Sequence, residues 1–195
     1  LTASIEARAA ANEKKNGIKR VLPVRSLGVV LESWKAERAA GPLPLISTPF
    51  PGVTSRLGGG LAPGELIYLG ARPGCGKTAW ALELGRYAAQ RGTSVLMISR
   101  EMRAENLGRR LVAREGHIRS WALRADALTG FEEARVDDAV RLLSGLPFWI
   151  SDTAFSLVGI DQVCTESDVP PFGLIIIDYL QLLKPPEGIK ERRHQ

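Results

Sequence analysis

Two glycines one residue apart, followed directly by a lysine and a threonine, lie in Ala71-Arg-Pro-Gly-Cys-Gly-Lys-Thr78. Before them runs the apolar stretch Glu65-Leu-Ile-Tyr-Leu69. After them Trp80, Leu84, Tyr87 and Ala88 recur at helical spacing, up to about Gln90, with Gly92 just beyond. A glycine-rich turn that joins a strand to a helix lets several backbone N–H groups converge at the helix N-terminus, where the helix dipole favours an anion. The order predicts a loop that cradles a phosphate chain, with the Lys77 ammonium reaching the outer phosphates and the Thr78 hydroxyl placed to ligate Mg²⁺. Ala71, Arg72, Pro73, Gly74, Cys75, Gly76, Lys77 and Thr78 are the predicted nucleotide-binding residues. Ala71 stands where the strict pattern has glycine.

A phosphate loop that works with Mg²⁺ needs an acid at the end of a buried strand. Asp178 directly follows Leu174-Ile-Ile-Ile177, a run apolar on both faces, as in the middle of a parallel sheet. Asp178 and Thr78 are thus the predicted metal residues. Hydrolysis further requires a carboxylate that orients the attacking water. Glu101 follows the apolar strand Ser94-Val-Leu-Met-Ile-Ser99, about one strand and one helix after the loop. On spacing alone, a catalytic Glu101 and a Glu that merely caps the helix starting near Ala104 are equally good readings.

Strands alternate with helical patterns: helices are predicted around 104–114, 131–143 and 157–166, with a further strand at Phe148-Trp-Ile150. That alternation predicts an α/β fold with a mainly parallel sheet flanked by helices. Residues 1–25, rich in Ala, Lys, Glu and Arg without a sustained apolar stripe, read as an arm. Residues 26–40 hold a helix with Leu27, Val30, Leu31 and Trp34 on one face, too short to persist undocked. Residues 41–51 contain four prolines and read as a linker, and the ATPase domain is expected to fill 52–195. The ends of the chain, Leu1 and Gln195, suggest a partial reading frame.

The net charge of +5 and pI near 9.5 are compatible with an anionic partner such as nucleic acid, and equally with an ordinary solvated surface. With 45% hydrophobic residues and no apolar run of spanning length, a cytoplasmic protein without a membrane segment is expected. Two cysteines, Cys75 and Cys164, suggest reduced thiols, and the histidines 117 and 194 have no partners at zinc-ligand spacing.

In order and spacing, Gly58-Gly-Gly-Leu-Ala-Pro-Gly-Glu-Leu66, the loop 71–78, Ser99-Arg-Glu-Met102 and Ile177-Asp-Tyr-Leu-Gln-Leu182 together resemble the RecA-like motor domain of bacterial replicative helicases of the DnaB type, over roughly residues 46–183. The resemblance implies a RecA-like P-loop NTPase core, truncated on its C-terminal side, that uses ATP and Mg²⁺. It implies Glu101 and Lys77 as catalytic residues and tolerates Ala71. Arg100 stands where that family usually has an apolar residue. The resemblance also implies a hexameric ring acting on single-stranded DNA, with the 27–34 helix docking on a neighbouring subunit and with primase and a helicase loader as partners. A RecA- or KaiC-like ATPase without unwinding activity, or a nucleotide-binding assembly module with negligible turnover, are the alternative readings.

Overall fold

The computed structural model describes residues 24–125, 127–154, 156–166 and 171–179. Most of the expected arm, the Leu180-Gln-Leu182 end of the last motif and the charged C-terminal stretch lie outside them. The chain divides between Leu43 and Pro44 into two units, so the Pro-rich segment 41–51 is split by the boundary.

The first unit holds helix α1, Leu27–Ala40, longer than its apolar stripe required. Ser26 caps it, its hydroxyl accepting from the Val29 N–H at 3.4 Å, and Gly41 ends it at φ 114°. Lys35 pairs with Glu32, and the Arg38 guanidinium lies over the Trp34 ring. Leu27, Val30, Leu31 and Trp34 are all exposed, and no residue of α1 is buried.

In the second unit the prolines do not make a bare tether. Ile46 forms an antiparallel bridge with Leu61, and Pro51 opens a short helix α2, Pro51–Arg56. Buried Thr48 and half-buried Thr54 bond to each other through their hydroxyls and to the backbone around Phe50, whose ring stacks on Trp80 at 5.3 Å. Gly60 is required there: at φ 151° a side-chain carbon would stand 2.5 Å from the Ile46 carbonyl oxygen.

The elements that follow are α3 (Lys77–Gln90), β1 (Val95–Ser99), α4 (Ala104–Glu115), α5 (Ser120–Ala125), α6 (Gly130–Ser144), β2 (Phe148–Ser151), α7 (Leu157–Glu166) and β3 (Leu174–Asp178). The three strands form one parallel sheet in the order β2-β1-β3. All five residues of β1 are buried. Their alternation sends Val95 and Met97 to one face, against Ala88, Ala89, Ala81 and Leu82 of α3 and Leu107 of α4. Leu96 and Ile98 point to the other, against Ala154 and Ile160 under α7. Gly85 lets α3 lie on the sheet, since a Cβ there would fall 2.6 Å from the Phe148 ring.

Two expectations are corrected. No strand forms at 65–69: Leu66 and Tyr68 are exposed by 76% and 71%, and no described residue pairs with the segment. An extended run becomes a strand only when a neighbour accepts and donates its backbone hydrogen bonds, and hydrophobicity alone does not supply one. Likewise Leu174–Asp178 is an edge strand among the described residues, with Ile175 exposed, and the middle strand is β1. Among the described residues no helix is long and apolar enough to cross a membrane.

Candidate functional site

Helix α3 runs against the strands. Its C-terminal Ala88 and Ala89 pack on Val95 and Leu174, where the strands begin, and its N-terminal Ala81 and Leu82 pack on Met97, Ile150 and Ile176, nearer their ends. The N-terminus of α3 therefore sits at the carboxyl edge of the sheet, the edge at which Ser99, Ser151 and Asp178 end their strands.

That N-terminus is the glycine loop. Gly74 and Gly76 adopt φ of 78° and 85°, and Gly76 is the cap residue of α3 without any side chain closing the helix end. The first-turn N–H groups of such an end are an anion site. Lys77 and Thr78 are partly buried as the first two helical residues, and the Lys77 ammonium donates to the carbonyl of Ala71 at 3.1 Å and of Arg72 at 3.5 Å. The lysine thus folds back across the mouth of its own loop. Ala71 to Gly76 are exposed, Cys75 among them as a free thiol. The expected preceding strand is missing, but the expected following helix is present.

Asp178 lies opposite Ser99 in the parallel ladder, with Ile176 opposite Met97 two residues before. Met97 and Ile176 face α3, so the period of two directs Ser99 and Asp178 to the same face as the loop helix. Asp178 is 6% exposed, and its Oδ2 has no hydrogen-bond partner among the described residues. A buried carboxylate oxygen left bare is costly unless a cation or its water shell completes it, so Asp178 has the chemistry to take part in holding a divalent cation. The structure places Asp178 at the carboxyl edge that also holds the loop.

Glu101 stands just past β1, exposed, in a turn before α4. It does not cap α4: Arg103 is the cap residue, and the first N–H of that helix, Ala104, is bonded by Asp152 at 3.0 Å. Sequence reasoning missed Asp152, although an acid directly after the strand Phe148–Ser151 repeats the arrangement of Asp178 after its own strand. It also missed Arg86, only 6% exposed, whose guanidinium pairs with Glu83 and with Glu115 of α4 while Arg114 grips Glu83 from the other side. These bonds clamp α4 to the loop helix. Burial pushes the Glu83 carboxyl up, but the hydrogen bonds and charges of Arg86 and Arg114 outweigh it and hold it below the ordinary 4.5.

The model of the DnaB-like helicase C-terminal domain matches residues 46–195. Among curated proteins, the replicative DNA helicase DnaB of Synechocystis is 36% identical over 144 residues, covering 70% of this chain and 16% of that protein. The replicative DNA helicase DnaB of Geobacillus stearothermophilus is 34% identical over 143 residues, covering 72% of this chain and 32% of that protein. The chain thus spans a third or less of the length of these relatives. Among solved structures, a DnaB-like replicative helicase described with its primase interactions superposes with a TM-score of 0.70 at 22% identity, over 98% of this chain and 50% of that one. A second solved structure, described as an ATPase domain, gives 0.69 at 24% identity, over 87% of this chain and 62% of that one. These two likenesses establish the RecA-like fold, and the match of the family model over residues 46–195 shows that this chain belongs to the DnaB-like helicase C-terminal domain family.

Proposed function

We propose that this chain is the nucleotide-binding part of an ATP-driven motor subunit, a replicative helicase that forms a ring and moves along single-stranded DNA in the cytoplasm. The observation that carries the reading is the buried Asp178, whose Oδ2 has no partner among the described residues, at the sheet edge where α3 begins behind two left-handed glycines. This is the arrangement a nucleoside triphosphate with a divalent cation requires.

In this reading the backbone N–H groups of the 71–78 loop cradle the phosphates. The Lys77 ammonium leaves the Ala71 and Arg72 carbonyls for the outer phosphate oxygens. Thr78 and Asp178 would hold Mg²⁺, which when bound would offset the phosphate charge. Glu101 orients a water and takes its proton as the water oxygen bonds to the γ-phosphorus. The bond from that phosphorus to the bridging oxygen breaks, and ADP leaves with the electron pair. The basic balance of the chain suits a phosphate-rich strand. A primase contact, described for the solved relative, and a helicase loader are proposed as partners of the whole protein.

The test uses the full-length protein. Lys77→Ala is expected to weaken ATP binding in calorimetry at least about tenfold with the circular dichroism unchanged. Parent turnover is expected to rise with single-stranded DNA and to support unwinding of a forked duplex. Parent-like ATP affinity in Lys77→Ala, or turnover indifferent to DNA, overturns the reading.

A further inference from the structure

The turn that carries Glu101 is fastened at both ends, and neither fastening uses Glu101 itself. On the strand side, the Ser99 hydroxyl, buried, donates to the Met102 carbonyl at 2.7 Å and accepts the Met102 N–H at 3.1 Å. The Arg100 N–H donates to the Asp178 carbonyl at 2.8 Å, tying the start of the turn to β3. On the helix side, the Ala104 N–H donates to Oδ2 of Asp152, a residue 48 positions away and just after β2. Arg103, the cap residue of α4, supplies no side-chain cap of its own. The position of Glu101 is therefore set by the three strand ends together: Ser99 of β1, Asp178 of β3 and Asp152 just after β2.

We propose that Asp152 is a positioning residue for the hydrolysis step, acting through the Ala104 N–H and the α4 N-terminus to fix where the Glu101 carboxylate stands over the nucleotide. The proposal rests on the reading of Glu101 as the water-orienting group. A carboxylate at a helix N-terminus both accepts an otherwise unpaired N–H and complements the dipole, so it holds that end in one place. Glu101 lies three residues before Ala104, so a shift of the helix end moves its carboxylate directly. A displacement of about an ångström of a catalytic group is enough to lower turnover by up to about a hundredfold. A cap that only stabilised the fold would leave the properties of the folded enzyme unchanged.

In the full-length protein, Asp152→Ala is expected to lower kcat by about ten- to a hundredfold while the Kd for ATP stays within about twofold. Asp152→Asn keeps an acceptor for the Ala104 N–H and is expected to recover kcat to within about threefold. On a Glu101→Gln background, Asp152→Ala is expected to add no further loss, because the group it positions is already disabled. If Asp152→Ala fails to fold, Asp152→Glu keeps the charge and the cap on a longer arm, and the same loss in kcat is expected of it. Overturning results are parent kcat in the folded variant, an equal loss on both backgrounds, or no recovery with Asp152→Asn. A Glu101→Gln enzyme at parent kcat instead removes the Glu101 reading itself, and the proposal with it.

Discussion

The Arg100 N–H donates to the Asp178 carbonyl at 2.8 Å, continuing the β1–β3 ladder one step past the Ser99–Asp178 pair. The bond ties the residue before Glu101 to the backbone of the acid assigned to the metal, so the two carboxylates belong to one rigid edge. Their roles should nonetheless separate. Glu101→Gln is expected to bind Mg²⁺-ATP with parent affinity and to hydrolyse it at least about a hundredfold more slowly, since in the proposed mechanism it removes only the group that takes the water proton. Asp178→Asn is expected to raise the Mg²⁺ concentration needed for half-maximal turnover. A magnesium titration of turnover in both variants checks the split, and identical profiles would refute it.

Gly85 gives a prediction about how α3 lies on the sheet. Alanine in the middle of a helix is intrinsically better than glycine by about 1 kcal/mol. At this position the added methyl meets the Phe148 ring at 2.6 and 3.0 Å and Ile176 at 3.1 Å. Overpacking of that kind costs about 1 to 3 kcal/mol, so Gly85→Ala is expected to be net destabilising in urea unfolding. Phe148→Leu combined with it should recover part of the loss, and additive effects of the two changes would show that the helix–strand contact is not the cause.

How much of this was legible beforehand depends on the range of the interaction. Helix α3, strand β1 and the helices from Ala104, Gly130 and Leu157 follow from periodicity, because apolar spacing reports which face is buried. Lys77 and Thr78 at a helix start and Asp178 at a strand end are likewise patterns within a few residues. The Glu65–Leu69 run misled because a strand is made by its neighbour, which local hydrophobicity does not reveal. The bond from Ala104 to Asp152, and those from Arg114 to Glu83 and from Arg86 to Glu115, join residues far apart in sequence. A charged residue at a helical core position, as Arg86 is, reads locally as a break in the stripe and not as a partner for another helix.

The Glu83 cluster predicts acid sensitivity with a definite sign. Its carboxyl is held below 4.5 in the folded chain, so it contributes stability that is present above that value and lost as pH falls through the lower, folded one. Unfolding midpoints in urea are expected to drop across that acid window. Glu83→Gln should flatten this part of the profile and, by leaving Glu115 as the remaining carboxylate beside the buried Arg86, cost about 1 to 3 kcal/mol at neutral pH. An unaltered pH profile in Glu83→Gln would place the acid-labile group elsewhere.

Helix α1 carries the prediction about assembly. Its cap at Ser26 and the Lys35–Glu32 pair favour the helical form, but a helix of fourteen residues is marginal in water. Leu27, Val30, Leu31 and Trp34 remain exposed along one face, and burying them would add about 1.5 to 3 kcal/mol for each large side chain. If the receiving groove belongs to a second subunit, the contact is head-to-tail and repeats around a ring. Leu31→Ala combined with Trp34→Ala is then expected to shift the full-length protein toward monomers in sedimentation velocity with ATP present. Nucleotide binding by the monomer should stay at the parent level, because α1 holds no residue of the 71–78 loop. A double variant that stays fully oligomeric, or whose monomer loses thermal stability, would show that the helix packs on its own subunit.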